Sequence, residues 1–254
     1  MAPFASERFD DMSTALIQPG TDEVTRQPRI SFRNSDLYDV LARLPLVAWF
    51  ALTGVAMGRH LISDFAAVGE GVAGGFGVGA ALNAVAHAAG LAFVLFVIGA
   101  LSLRRRPLAR TVGLLPRLVA IGGAFSITGL ALFPKVALSP VVAGASVAMM
   151  LIGYGVSCYA IRHLGRSLSL MAEARNLVTT GPYALVRHPL YVAEALASLG
   201  LLLQFLSWSA AFLWVIHIAL QLSRMRYEER ILRQTFPEYD DYARRTSRLV
   251  PGVY

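Results

Sequence analysis

Residues 189–223 read PLYVAEALASLGLLLQFLSWSAAFLWVIHIALQLS, and the way this apolar run divides decides the fold. It is too long for one ordinary crossing, which takes about 20 residues. The break falls at Gln204-Phe205-Leu206-Ser207-Trp208, so two shorter helices are expected as a hairpin that returns to the side it left. Four further apolar stretches precede it, at about 44–62, 78–103, 112–133 and 137–161. Each is near the length of one span. The expected fold is therefore all-α: a polytopic transmembrane helical bundle of four spans plus a C-terminal helical hairpin.

Composition supports the same reading. Of the 254 residues, 56% are hydrophobic and only 15% charged, against about 25% charged in an ordinary soluble domain. Mean hydropathy is +0.55. The single cysteine, Cys158, excludes an internal disulfide framework and any multi-Cys metal site, and no metal site is expected. A net charge of +7 would otherwise invite a nucleic-acid partner. Its distribution argues against one. Basic residues fall in the tail (Arg8 to Arg43), after span two (Arg104 to Arg117), after span four (Arg162 to Arg187) and beyond the hairpin (Arg224 to Arg248). Arg59 and Lys135 alone fall on the other side. The asymmetry is a topology signal that places both termini in the cytosol. It also favours contact with anionic headgroups. A multi-pass location is expected, in the inner membrane if the source is bacterial, with no nucleic-acid partner.

Three regions follow. Residues 1–43 form a polar cytosolic tail with a short interfacial helix, Ser35–Arg43. Residues 44–161 hold the four spans, and residues 162–254 hold a cytosolic loop, the hairpin and cytosolic C-terminal helices. The glycine-rich stretch Glu70–Gly79 has the spacing of a phosphate- or methyl-donor-binding loop. Such loops need a preceding buried strand and a following helix. No strand-like run precedes this one, so it is read as a loop into span two.

Polar residues concentrate in the last region. On the first hairpin helix Arg187, Tyr191, Glu194 and Ser198 fall at i, i+4, i+7 and i+11, on one face. On the second, His217, Gln221, Arg224 and Glu228 repeat that spacing. Antiparallel pairing about residue 206 brings Arg187 level with the Arg224–Glu228 turn, and Glu194 level with His217 and Gln221. Glu194 is the only acid inside any expected span, so it needs a partner or water. The bland alternative is a hairpin zipped by Glu194 with His217 or Gln221. Pro189 is placed to start the first helix, and His188 before it is biased toward extended backbone. Beyond the membrane face the helix continues through Glu228-Glu229 to Phe236, where Pro237 ends it.

Three blocks, in order around the hairpin, resemble the isoprenylcysteine carboxyl methyltransferase and phospholipid methyltransferase superfamily. They are Leu177-Val178-Thr179-Thr180-Gly181-Pro182-Tyr183, then Arg187-His188-Pro189-x-Tyr191, then Glu228-Glu229-x-x-Leu232 with Phe236 and Tyr239. The resemblance implies S-adenosylmethionine as methyl donor, bound at the cytosolic ends of the last helices. It implies that Leu177, Val178, Tyr183, His188, Pro189, Leu190 and Tyr191 line the cofactor site. Glu229, with Glu228 beside it, would hold polar groups of the donor, and Arg224 would engage an acceptor carboxylate. Arg187, Glu194, His217 and Gln221 are acceptor-side candidates. Two departures leave the acceptor open: Arg175 stands where eukaryotic isoprenylcysteine enzymes carry His, and Glu194 replaces a small or apolar residue of some relatives.

The chemistry agrees with these residue types. Methyl transfer from a sulfonium is an in-line displacement, and positioning two reactants supplies roughly 7–11 kcal/mol of its barrier. A carboxylate acceptor, the first expectation, needs only a cation such as Arg224. An amine or thiol must lose a proton, for which Glu228, Glu194 or His217 would serve. The acceptor is expected to be lipidic or a hydrophobic small molecule. A non-enzymatic transporter or scaffold is the alternative from another class.

Overall fold

The computed structural model describes residue 41 and residues 43–74 and 77–253. Apart from Leu41 and Arg43, the tail and its expected short helix lie outside the described residues. The chain is mostly helical: α1 Leu44–Gly74, α2 Gly77–Ser102, α3 Leu114–Phe125, α4 Pro140–Leu164, α5 Pro189–Leu203, α6 Trp208–Thr235 and α7 Tyr239–Arg245. A 3-10 segment, Ser126–Leu132, prolongs α3. Two short strands, β1 Ala109–Arg110 and β2 Glu173–Ala174, pair antiparallel. Four segments are long and apolar enough to cross a membrane: Leu44–Gly69, Gly77–Ser102, Leu114–Leu132 and Pro140–Ser167.

Helix starts follow local chemistry. Ser139 accepts from the Val142 amide and Pro140 opens α4, while Ser207 accepts from the Ala210 amide and caps α6. Pro189 opens α5, and the chain turns between Gln204 and Ser207, where the hairpin is expected. The two arms are unequal. The 15 residues of α5 rise only about 22 Å, less than the hydrocarbon core, whereas the 28 of α6 rise about 42 Å. The second arm therefore runs well past the end of the first and carries residues 224–235 beyond it.

Packing differs from a simple hairpin. α5 lies chiefly on α4, not on α6. At their crossing a Cβ on Gly153 would sit 2.7 Å from the Ala193 carbonyl oxygen and 2.7 Å from Ala197 Cβ. Only glycine lets the two backbones approach so closely, the small-residue packing that replaces hydrophobic driving force in lipid. Ser146 Oγ donates to the Gly200 carbonyl at 2.7 Å across the same interface. α6 packs along α3 and its 3-10 extension, α1 pairs with α2, and α2 also lies on α4.

Three readings of the sequence change here. Span one extends past residue 62, so Asp64 lies within a candidate span, and His87 Nδ1 lies 2.6 Å from its carboxylate. Arg187 precedes α5 and does not share the helical face of Tyr191, because Pro189 starts the helix two residues later. The glycine-rich stretch is entered by helix from both sides, α1 to Gly74 and α2 from Gly77, in place of the loop expected there.

The described basic segments meet at one end of the bundle. Arg43 donates to the Ser102 and Arg104 carbonyls at 3.1 and 3.2 Å, where α2 ends. Arg166 Nε donates to the Leu103 carbonyl at 2.8 Å, and Arg175 Nε to the Arg105 carbonyl at 2.6 Å. Guanidinium donors thus satisfy carbonyls just past helix C-termini, which lack partners of their own.

Candidate active site

The site is built at that basic end, from the loop between α4 and α5, the outer part of α6 and the chain after Pro237. Gly181 has φ 61 and opens the turn before Tyr183. A Cβ there would lie 2.2 Å from the His163 ring, so glycine is required both by backbone and by space. The loop then pairs with the C-terminal segment. The Arg187 and His188 amides donate to the Ser247 and Arg248 carbonyls at 2.8 and 3.1 Å. Tyr242 Oη donates to the Tyr183 carbonyl at 2.7 Å.

Glu229 ties these pieces together. It is 4% exposed. Its Oε1 receives Arg187 Nε at 3.2 Å and Arg248 Nε at 2.9 Å, and His188 Nε2 lies 3.1 Å away. Arg248 Nη2 reaches Oε2 at 2.7 Å. Arg187 Nη1 goes on to the Ala243 and Thr246 carbonyls at 2.5 and 2.9 Å. Burial alone would raise this carboxyl's pKa. The bonds from His188 and Arg248, with the charges of His188 and Arg187, outweigh burial and lower it to about 2.

In front of this knot lies a cavity. Its walls include Leu177, Val178, Tyr183, Arg187 and His188 from the loop, and Leu190, Tyr191, Arg224 and Glu228 from the helices. Nine residues singled out in the sequence are thereby brought together. Pro189 starts the helix beside them. Glu229 stands behind the wall, whereas its neighbour Glu228 faces the cavity. Tyr191 Oη donates to Glu228 Oε1 at 2.5 Å, and Arg224 Nε lies 3.3 Å from the same oxygen. The Arg224 guanidinium also sits over the Tyr191 ring, 5.2 Å from its centroid, and gives Nη2 to the Ser169 carbonyl at 3.2 Å. The buried hydroxyls of Tyr183 and Tyr239, both lining this cavity, have no hydrogen-bond partner among the described residues. Burial pushes both phenols above their ordinary range, and Tyr242 up to about 12, so all three stay neutral donors.

A second cavity, about 260 Å³, lies between the helices on the other side of Arg224. Apolar side chains of α1 and α2 line it, among them Trp49, Phe50, Met57, Phe93 and Val97. Its polar floor is Glu194, Ser198, His217, Gln221 and Arg224. Gln221 Nε2 donates to Glu194 Oε2 at 2.7 Å, as the hairpin spacing anticipates. His217 does not join that pair. Its Nδ1 is 3.0 Å from Ser126 Oγ, because α6 lies against the end of α3. Trp214 Nε1 donates to Ser198 Oγ at 3.0 Å, a further tie between α5 and α6. The two cavities share Leu168, Ser169, Leu190 and Arg224, which form a neck between them.

Residues 167–175 were not legible as site residues. Ser169, Met171 and Glu173 line the first cavity, and Ser169 Oγ donates to Glu173 Oε2 at 2.8 Å. No residue type in Ser167-Leu168-Ser169-Leu170-Met171 announces this. Arg175, noted only as a departure from a family pattern, pairs with Glu173 at 2.8 Å and lines the cavity.

The chain is 37% identical over 111 residues to the nickel-cobalt-cadmium resistance protein NccN of Alcaligenes xylosoxydans xylosoxydans, covering 42% of this chain and 52% of that protein. It is 40% identical over 103 residues to the cobalt-zinc-cadmium resistance protein CzcN of Cupriavidus metallidurans, covering 39% and 47%. The chain thus spans about half the length of the curated relatives it matches. Residues 141–239, from α4 to the first residue of α7 and so including both arms of the hairpin, match the phospholipid methyltransferase family model, in agreement with the superfamily that the three sequence blocks resemble.

Proposed function

We propose that this protein is an integral-membrane methyltransferase that moves a methyl group from S-adenosylmethionine to a lipidic or hydrophobic acceptor. The observation that carries the reading is the neck at Leu168, Ser169, Leu190 and Arg224, shared by a cavity at the basic end whose wall carries Arg187, His188, Arg224 and Glu228 and by a more apolar cavity between helices. A water-soluble donor and a membrane-dissolved acceptor have opposite solvation needs, and adjoining cavities that differ in this way suit one each.

The residues of the polar cavity fit such a donor. Glu228 offers a carboxylate to its ammonium or ribose hydroxyls. The unpartnered hydroxyls of Tyr183 and Tyr239 offer donors to its carboxylate or ring nitrogens. Bound there, the donor would supply a methyl carbon on positively charged sulfur. Leu177, Val178 and the loop around them would hold it, and the helices would exclude water from the neck. The cluster of basic side chains at this end supports a cytosolic site and cytosolic termini. The names of the two relatives suggest a setting, tolerance of divalent metals, in which the methylated product would act.

S-adenosylhomocysteine tests the proposal. Added to the detergent-solubilised protein at a hundred times its Kd, it should stabilise the fold by about 2.7 kcal/mol and raise the melting temperature by several degrees. Glu228→Gln should weaken that response. A well-folded sample that shows no shift at millimolar ligand would overturn the enzyme reading in favour of a transporter or scaffold.

A further inference from the structure

The second cavity is deep for its volume. Its lining runs from Leu46 to Met57 on α1, from Leu101 to Gly90 on α2 and from Leu190 to Leu201 on α5. Each stretch covers about three turns of helix, or about 16 Å. All three begin level with the neck, because Leu46 and Leu101 pack with Leu168 and Leu190. A volume of about 260 Å³ drawn out over that depth is a narrow slot, not a chamber.

The slot has direction. Polar side chains along its α5 and α6 side are already bonded: Ser198 to Trp214 and to the Ala195 carbonyl, and His217 to Ser126. Polar atoms without a hydrogen bond among the described residues lie toward the neck, at Gln221 Oε1 and Arg224 Nε. The polar end of an occupant therefore belongs at the neck and its apolar end at the bottom.

That bottom is closed. Met57, Gly90, Tyr154 and Leu201 are the last residues of their helices to line the slot. Beyond them Ala86, Val147 and Met150 are buried and pack with Leu82, Tyr154 and Leu201. Phe93 stacks on Tyr154 with ring centroids 4.9 Å apart and holds that ring in place. The Met57 thioether lies across Gly90, where a Cβ would meet both its Sδ and its Cε at 3.1 Å. Of the groups at the closed end, Met57 is the unbranched and adaptable one. Both Met57 and Gly90 lie outside residues 141–239, the part that matches the family model.

Resting on the methyl-transfer reading, we infer that the acceptor carries a single extended apolar tail lying in this slot, and that Met57, seated on Gly90, sets the greatest length of tail accepted. An extended chain advances about 1.2 Å per bond, so the depth of the slot takes a tail of roughly 13 carbons. Trp49, Phe50, Phe93 and Val97 flank that tail, and its polar end reaches the neck, where the donor cavity adjoins.

Photolabelling without donor tests this. Wild-type protein in phosphatidylcholine nanodiscs would be irradiated with straight-chain alkanols, from hexanol to hexadecanol, that carry a diazirine at the chain end. Labelled peptides are then identified by mass spectrometry. Labelling within the slot saturates and is displaced by unlabelled dodecanol, whereas labelling of lipid-facing side chains is not. As the chain lengthens, the displaceable label should move from the level of Phe50 and Val97 to that of Met57 and Tyr154. Two methylenes past the limit, it should fall roughly tenfold, because the added volume meets a packed end. Met57→Ala should move the limit to longer chains, and Gly90→Val to shorter ones. Melting curves show whether each variant is folded, and if Gly90→Val is not, Met57→Phe takes its place as the shortening variant. No displaceable label in the slot, a label position that ignores chain length, or an unchanged limit in the folded variants overturns the inference. Any of these in a protein that S-adenosylhomocysteine stabilises leaves the methyl-transfer reading standing. A limit that moves as expected, in a protein that does not respond to S-adenosylhomocysteine, supports the tail slot and strikes that reading alone.

Discussion

The cavity at the basic end is walled by loops that one buried carboxylate ties together, whereas the cavity beneath it is a gap between helix faces. Glu229 holds Arg187, His188 and Arg248, residues that no regular secondary structure would bring together. Beside the lower cavity, which Ala197 lines, the backbones of α4 and α5 approach closely where Gly153 meets Ala193 and Ala197. One is stabilised by charge in a low dielectric and the other by the absence of side-chain volume. They should therefore fail under different insults.

The largest effect is expected at Glu229. Replacing it with Gln removes the carboxylate that Arg187 and Arg248 share, and breaking a buried ionic cluster in this way costs about 3–5 kcal/mol. The melting temperature should fall, and the S-adenosylhomocysteine response with it. The same residue gives the wild type a pH signature. Its carboxyl pKa is lowered from 4.5 to about 2 on folding, so its stabilisation is complete above the unfolded value. That stabilisation is lost progressively as pH falls from about 5 toward 2. Melting curves across that window should show the loss in wild type and a shallower slope in Glu229→Gln. Equal slopes would mean that the knot is not what the upper cavity rests on.

The next effect should come from Gly153→Val, which adds volume where none is available. Overpacking of this kind costs about 1–3 kcal/mol. Here the destabilisation should not depend on pH between 3 and 8, because no titrating group is involved. A pH-dependent loss would break the distinction between the two cavities. The smallest effect is expected from Tyr191→Phe beside Arg224, which removes the hydroxyl bonded to Glu228 and leaves the ring under Arg224. It should cost about 1 kcal/mol in stability. Its more telling readout is S-adenosylhomocysteine affinity, which should weaken if Glu228 belongs to the donor side.

What was legible in the sequence follows the same division. Features set by helical period and turn chemistry read correctly: the break at Gln204–Ser207, the start at Pro189, and Glu194 level with Gln221. Features set by long-range pairing did not. His217 finds Ser126 because α6 lies on α3, and no spacing within the hairpin reveals that neighbour. The partners of Glu229 lie on both sides of it in the chain, and Arg248 looked like one more basic residue near the membrane. Asp64 escaped notice because the apolar run weakens near residue 62 while the helix does not. The charge count grouped the basic segments on one side, and the structure adds that Arg43, Arg166 and Arg175 all donate to carbonyls of residues 102–105 at the end of α2.

The pairing of the α4–α5 loop with the C-terminal segment bears on how the protein is made. Residues 240–248 are made after α1 to α6. Until Ser247 and Arg248 reach the Arg187 and His188 amides, the loop lacks these partners and Glu229 lacks one of its two guanidinium partners. The upper cavity is thus closed late in synthesis, and a chain truncated after α6 would lack the segment that ties its loop in place.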